Sequence, residues 1–394
     1  MIDFLKRTWA QIDLDAIRNN YKAIAQSLSY GCRAMAIVKA DAYGHGAGFV
    51  SRTLRDAGVT WFGVSNLDEA LQIRDEGISE SILILAYTPP EHILQLAENN
   101  ITQTVFEREY AQQISKAAVE AGVTVGVHIK VDTGMSRIGF FCQSENGIIK
   151  TIDEIEQVCA LPGLYAEGIF THFASADEEQ DDGCTQRQFE RFLKVIEGLS
   201  GRGIHFSIRH CCNSAATMRY PEMHMDMVRP GLILYGLSPA PWLQGMLSLT
   251  PAMELKTVVS MTKTIPAGTA VSYGRTFQSV GETEIATLPI GYADGYPRGM
   301  SNRAHMLVCG KRAPVVGRVC MDQCLLDVTG IEGVCEGSTV TVFGRDKDNV
   351  ISVDEFASLS GTINYETVCL IGKRVPRIFR SGGCWVGKLN YIRT

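Results

Sequence analysis

No apolar run in the 394-residue chain approaches the roughly 18 residues that a membrane-spanning helix requires. The longest candidates, residues 81–86 and 231–237, are only strand-length. A basic excess is also missing. Lys and Arg number 37 against 43 Asp and Glu, a formal net charge of −6 that argues against a nucleic-acid partner. The opening Met1-Ile2-Asp3-Phe4-Leu5-Lys6-Arg7 has no apolar core of signal-peptide length and no small-residue cleavage site. With that start, the 12 cysteines are expected to be reduced thiols of a cytoplasmic protein. No CxxC pair occurs, and Cys211-Cys212 and Cys320-x3-Cys324 lack the paired spacings of zinc sites, so no metal is expected. The cysteines read mostly as small core residues.

What remains is an ordinary globular composition, 45% apolar and 20% charged, in a chain long enough for two or three domains. Short apolar runs recur at residues 33–40, 61–64, 81–86, 101–105, 123–131, 164–171, 206–210 and 232–235. Most are rich in β-branched or aromatic residues and bounded by Gly, Asp or Asn, as buried parallel strands should be. Helical periodicity fills intervals such as 107–121, 148–160 and 185–199. Eight evenly recurring units over roughly 240 residues suit a closed (β/α)8 barrel better than the alternative, a doubly wound open sheet. After Pro239 and Pro241 the texture changes. Met253, Leu255, Val259, Met261 and Ile265 keep period two, and further strand-like runs at 284–289, 304–309, 324–328 and 339–343 are separated by Gly-containing turns. The expected organisation is a barrel over residues 8–244 and a mostly β domain over 245–385.

A barrel enzyme builds its site at the C-terminal ends of its strands. Those ends carry Lys39 after the first strand, Arg137 after the fifth and His172 after the sixth. Asn213-Ser214 follows the seventh, and Arg229 with Gly231 lies at the eighth. Loops after strands seven and eight often bind phosphate, which suits Ser214 opening a helix and the bare amides near Gly231. Lys39 closes an apolar strand before a glycine-punctuated turn. Two readings stay open from position alone: a Schiff-base lysine, or one that snorkels to the barrel rim. His172 likewise reads as a functional group or as a strand-end histidine satisfied by backbone. Tyr273 alone reads as an ordinary strand aromatic.

Ordered motifs add to this. Val38-Lys39-Ala40-Asp41-Ala42-Tyr43-Gly44-His45-Gly46, Lys130-Val131-Asp132-Thr133-Gly134-Met135-Ser136-Arg137 and Phe170-Thr171-His172-Phe173-Ala174 occur in sequence. Asn213-Ser214-Ala215, Val228-Arg229-Pro230-Gly231, Ser272-Tyr273-Gly274, Gly291-Tyr292-Ala293-Asp294-Gly295, Gly317-Arg318-Val319-Cys320-Met321-Asp322 and Ile363-Asn364-Tyr365-Glu366 follow. The set resembles the alanine racemases, in family order, over nearly the whole chain. One such motif is weak; the series is specific.

The resemblance implies an isomerase that interconverts L- and D-alanine for peptidoglycan, with pyridoxal 5′-phosphate held on Lys39 as a Schiff base. It gives the phosphate to Tyr43, Ser214, Gly231, Leu232 and Tyr365, makes Asn213 a further cofactor-binding residue, and sets Arg229 against the pyridine nitrogen. Arg137 and Met321 would hold the substrate carboxylate. Lys130 resembles a lysine that is often carbamylated, with an ordinary salt-bridging lysine as the alternative. Lys39 and Tyr273 would act as the two acid–base groups, with His172 as the partner of Tyr273. A homodimer with shared sites is implied, Tyr273 and Met321 coming from the second copy. A serine or broad-specificity racemase is the nearest alternative. Decarboxylases on this barrel place a reactive cysteine at the site within motifs not found here, and a single-barrel cofactor carrier lacks a second domain.

Overall fold

The computed structural model describes residues 4–393, which form two compact units. The larger comprises Ile17–Ala42 and Ala47–Thr250, and the other comprises the chain up to Ala16, Tyr43–Gly46 and Pro251 onward.

In the larger unit eight parallel strands close on themselves. In chain order they are Arg33–Ile37, Trp61–Val64, Ser81–Ile84, Ile101–Val105, Val125–Asp132, Leu164–Phe170, Ile208–His210 and Met227–Val228. Each pairs with the next, and Met227 and Val228 return to Arg33 and Ala34 to seal the ring. Sequence-adjacent closure of this kind follows from continuous apolar strands covered on both faces: Trp61–Val64 is buried throughout, as is Ile101–Val105. The helices between them start where side chains satisfy their first amides. Asn66 accepts from Glu69, Ser144 from Gly147 and Asn213 from Ala216. Helix Arg108–Ala121 stops at Gly122, whose φ of 66° belongs to the left-handed region.

One expected strand is not there. Residues 232–235 form a 3-10 helix, Leu232–Tyr235, and the eighth strand is the two-residue Met227–Val228 before it. An apolar run of four does not distinguish a buried turn of helix from a buried strand. Pro230 and the non-extended Gly231 (φ −118°, ψ −91°) end the strand direction first.

The second unit is β-rich. Its main sheet runs in the order Lys311–Pro314, His305–Val308, Thr339–Asp346, Met253–Val258, Thr8–Asp13, Arg377–Ser381 and Cys384–Leu389, with Asn349–Ile351 pairing on Thr339–Asp346. The N-terminal strand Thr8–Asp13 sits inside it, antiparallel to Met253–Val258 and parallel to Arg377–Ser381. A separate three-stranded sheet joins Met261–Ile265, Thr283–Leu288 and Cys324–Asp327 around Ile265, Val271, Ile285 and Val316. Buried Asp294 ties this unit together: it accepts from both terminal nitrogens of Arg7 at 2.8 and 3.0 Å and from the Gly291 amide at 3.1 Å. The segment Tyr43–Gly46 belongs here too. Arg377 Nε donates to the Gly44 carbonyl at 2.9 Å, and a Cβ on Gly44 would lie 2.3 Å from the Val368 carbonyl oxygen, so no larger residue fits. Among the described residues no helix is long and apolar enough to cross a membrane, and no group of three or more His, Cys, Asp or Glu is placed to hold a metal ion.

Candidate active site

Lys39 is half-buried at the mouth of the barrel, just past the first strand. The turn it opens, Lys39–Gly44, winds the wrong way: Ala40, Asp41, Ala42 and Tyr43 all have φ between 52° and 55°. Left-handed helical geometry costs an L-residue about 1–2 kcal/mol, so four in succession persist only where neighbours impose them. Two carboxylates do this. Glu69 accepts from the Ala40 amide at 2.8 Å and the Ser65 amide at 2.7 Å, and Asp41 accepts from the Ala47 amide at 2.8 Å. The strain is concentrated beside the candidate nucleophile.

At the other strand ends, Arg229 is buried and hydrogen-bonded without a carboxylate. Its Nη1 donates to His210 Nδ1 at 2.9 Å, and its Nη2 donates to the carbonyls of Thr171 (2.8 Å) and Cys211 (3.0 Å) and to His172 Nδ1 (3.2 Å). Burial lowers its pKa to about 10, which leaves it a cation at neutral pH. Lys130, 3% exposed, hangs over the Phe170 ring at 4.6 Å with no hydrogen-bond partner for its Nζ. Burial, then Arg229 and Arg137, push its pKa far down, with Asp132 opposing. His172 is half-buried and held neutral by burial and by Arg229, Lys130, Arg137 and Lys39. A guanidinium only donates, so His172 Nδ1 is an acceptor and its proton sits on Nε2. Arg137 is exposed. Ser214 and Gly231 meet directly: the Gly231 amide donates to the Ser214 hydroxyl at 2.9 Å. Asn213 spends its side chain on capping the helix Ser214–Arg219, and Leu232 is fully buried.

The remaining candidates belong to the β-rich unit. Tyr43 and Tyr365 lie with ring centroids 6.2 Å apart. Tyr273 is 71% exposed and Met321 53% exposed. Tyr273 follows Ser272, whose φ of 65° and ψ of −176° fall in a region that side chains rarely adopt. The Ser272 hydroxyl donates to the Arg318 carbonyl at 2.6 Å, and Gly317 gives the turn room, because a Cβ there would lie 2.7 Å from Ser272 Cβ. The Met321 loop is fastened similarly. The Tyr292 and Ala293 amides donate to the carbonyls of Cys320 and Met321, both at 3.1 Å, over a Gly291 too close to them for any side chain. Tyr273 thus sits on a strained turn, yet open to solvent.

Sequence reasoning missed His210 and Glu69. His210 was read only as the last residue of a strand. Nothing in the pattern marks it, since a buried histidine at a strand end takes the place of an apolar neighbour.

Two family profiles cover almost all of the chain: "Alanine racemase, N-terminal domain" matches residues 12–239 and "Alanine racemase, C-terminal domain" matches 252–379. The chain belongs to the alanine racemase family. The alanine racemase of Desulforamulus reducens is 49% identical over 94% of this chain and 98% of its own length. That of Methanococcus maripaludis is 47% identical, again over 94% and 98%. A solved alanine racemase of Clostridium difficile 630 superposes with a TM-score of 0.93 at 36% identity, covering 99% of this chain and 100% of its own. The Bacillus anthracis alanine racemase with bound L-Ala-P gives 0.90 at 38% identity, covering 99% of both chains. Of the motifs read from the sequence, those of Lys39 and Tyr273 lie on the strained turns described above, and Ile363-Asn364-Tyr365-Glu366 opens the helix Asn364–Cys369.

Proposed function

We propose that this enzyme interconverts L- and D-alanine, with pyridoxal 5′-phosphate on Lys39 and two copies of the chain completing each site. The observation that carries this reading is a buried cation without a matching acid: Arg229 is bonded only to histidines and carbonyls, and beside it Lys130 has an unpartnered Nζ whose charged form burial disfavours. Buried cations left so are costly, and an anionic cofactor with a carboxylate substrate supplies what they lack. Tyr43, Ser214, Gly231, Leu232 and Tyr365 would hold the phosphate, and Asn213 would bind the cofactor beside them. Arg137 and Met321 would hold the substrate carboxylate. A carbamate on Lys130 would turn a disfavoured ammonium into an anion between Arg137 and Arg229, which suits its surroundings better than a salt-bridging lysine does.

When bound, the cofactor draws electron density from the substrate Cα and makes its hydrogen acidic. Racemisation then needs a proton acceptor on one face and a donor on the other, each able to serve in both roles. Lys39 serves the face from which D-alanine loses its hydrogen. Tyr273 of a second copy serves the L-face, and its exposure in one chain supports a partner that covers it. His172, with its proton on Nε2, donates to that phenolate and stabilises it. Arg229, a cation with only hydrogens to offer, would hold the cofactor's pyridine nitrogen unprotonated, which would limit electron withdrawal and with it side reactions.

The test is an assay of the purified enzyme on both enantiomers of alanine and serine. Tyr365 bounds the space for the substrate side chain, and a serine hydroxyl buried unpaired costs about 1–3 kcal/mol. Alanine is therefore expected to lead in kcat/KM by roughly 10- to 100-fold. Tyr365→Asn narrows that lead by relieving the crowding and supplying a partner for the hydroxyl. If the variant slows both substrates equally, Tyr365 serves the phosphate alone. Activity on serine but not alanine would replace the reading with that of a serine racemase.

A further inference from the structure

The hydrogen bonds of Arg229 continue into the barrel beyond the residues assigned above. His210 Nε2 lies 2.9 Å from His128 Nδ1, and His128 Nε2 lies 3.8 Å from the Glu167 carboxylate. Both imidazoles are buried completely. Their rings are held by packing: His210 stacks on Phe170 at 4.7 Å, and His128 tilts against Trp61 at 5.4 Å. Next to Glu167, residue 168 must be glycine, because a Cβ there would lie 2.6 Å from the His128 ring.

The direction of the chain follows from one asymmetry. Arg229 cannot accept, so His210 Nδ1 must, and the His210 proton sits on Nε2. That proton points at His128 Nδ1, which must then accept, leaving the His128 proton on Nε2, which has no hydrogen-bond partner and lies 3.8 Å from the Glu167 carboxylate, within reach of its charge. If His128 carried its proton on Nδ1 instead, either two N–H groups would face each other between the imidazoles, or His210 would move its proton to Nδ1 and Arg229 would lose its acceptor. Burial keeps both histidines neutral, with Arg229 and Lys130 adding to the effect at His210.

We propose that Glu167, through His128 and His210, is a positioning residue for Arg229: its carboxylate favours the one tautomer of His128 that lets the guanidinium keep its aim. An acid hydrogen-bonded to a catalytic histidine orients it in a related way; here the carboxylate acts through its charge across 3.8 Å, and the chain is one imidazole longer and ends on an arginine. It rests on the reading that Arg229 faces the cofactor, and the experiment separates the two.

Histidine nitrogens are observed by 15N NMR in the holoenzyme, in the native protein and in Glu167→Gln and Glu167→Leu, with assignments from single His→Gln variants. Native His210 and His128 are expected to show a bare Nδ1 and a protonated Nε2. In Glu167→Leu the His128 signals shift toward a mixture of tautomers, and Glu167→Gln, neutral but able to accept, falls between. Alanine kcat should drop by roughly 10-fold in Glu167→Leu, the usual reach of an outer partner, while KM stays as it was. A protonated Nδ1 on either native histidine overturns the chain of bonds. Native tautomers and native kcat in both variants overturn the role of Glu167. Altered tautomers with native kcat would instead fault the reading of Arg229 as the cofactor's partner.

Discussion

Lys39→Ala is expected to remove the absorbance of the bound cofactor and nearly all racemisation together. Lys39 holds two roles in the account, the covalent anchor and the proton carrier of one face. Loss of an acid–base group alone costs roughly 10^2- to 10^4-fold, and loss of the anchor removes the reacting centre as well. Neighbouring lysines do not replace it. Lys130 is locked over Phe170 beneath the rim, whereas Lys39 alone is carried on the strained turn that Glu69 and Asp41 hold in place. Borohydride reduction and peptide mapping of the native enzyme should place the cofactor on Lys39. A reduced adduct on any other lysine would remove the assignment.

The second large effect is a recovery. Lys39→Ala and Tyr273→Phe are each expected to be inactive apart from residual turnover. Mixed under conditions of subunit exchange, they form heterodimers. One of the two sites then pairs an intact Lys39 with an intact Tyr273, while the other carries both lesions. Activity should return toward about half that of the native enzyme per heterodimer, the share fixed by a twofold interface. Verified heterodimers without recovery would mean that each site is built within one chain, and the 71% exposure of Tyr273 would need another explanation.

Much of the barrel was legible because buried parallel strands write themselves as short apolar runs with turn residues between them. Seven of the expected runs contain the observed strands to within a few residues; the eighth, at 232–235, is a helical turn instead. The strand Thr8–Asp13 escaped notice because its partners, Met253–Val258 and Arg377–Ser381, are hundreds of residues away and nothing local records them. The terminal strand Cys384–Leu389 is mostly exposed, so it lacks the alternation that would mark it. The strand-end positions of Lys39, His172 and Arg229 follow from the barrel architecture alone. That of Tyr273 does not, since an exposed tyrosine on a short irregular turn has no pattern to distinguish it. Its place came from resemblance. His210 and His128 acquire meaning only through ring-to-ring distances, which no one-dimensional reading contains.

The proposed mechanism has two groups on opposite faces, Lys39 and Tyr273, move the α-proton. It is tested most directly by solvent isotope exchange in Tyr273→Phe. Each enantiomer of alanine is incubated with the variant in D2O, and deuterium at Cα is followed by mass spectrometry after chiral separation. Lys39 remains intact, so D-alanine should still take up deuterium without inverting. L-alanine, whose hydrogen faces the missing phenol, should take up almost none. Net racemisation should fall equally in both directions, because a substitution cannot move the overall equilibrium. Equal loss of exchange from the two enantiomers, or exchange persisting in L-alanine and lost in D-alanine, would contradict the assignment.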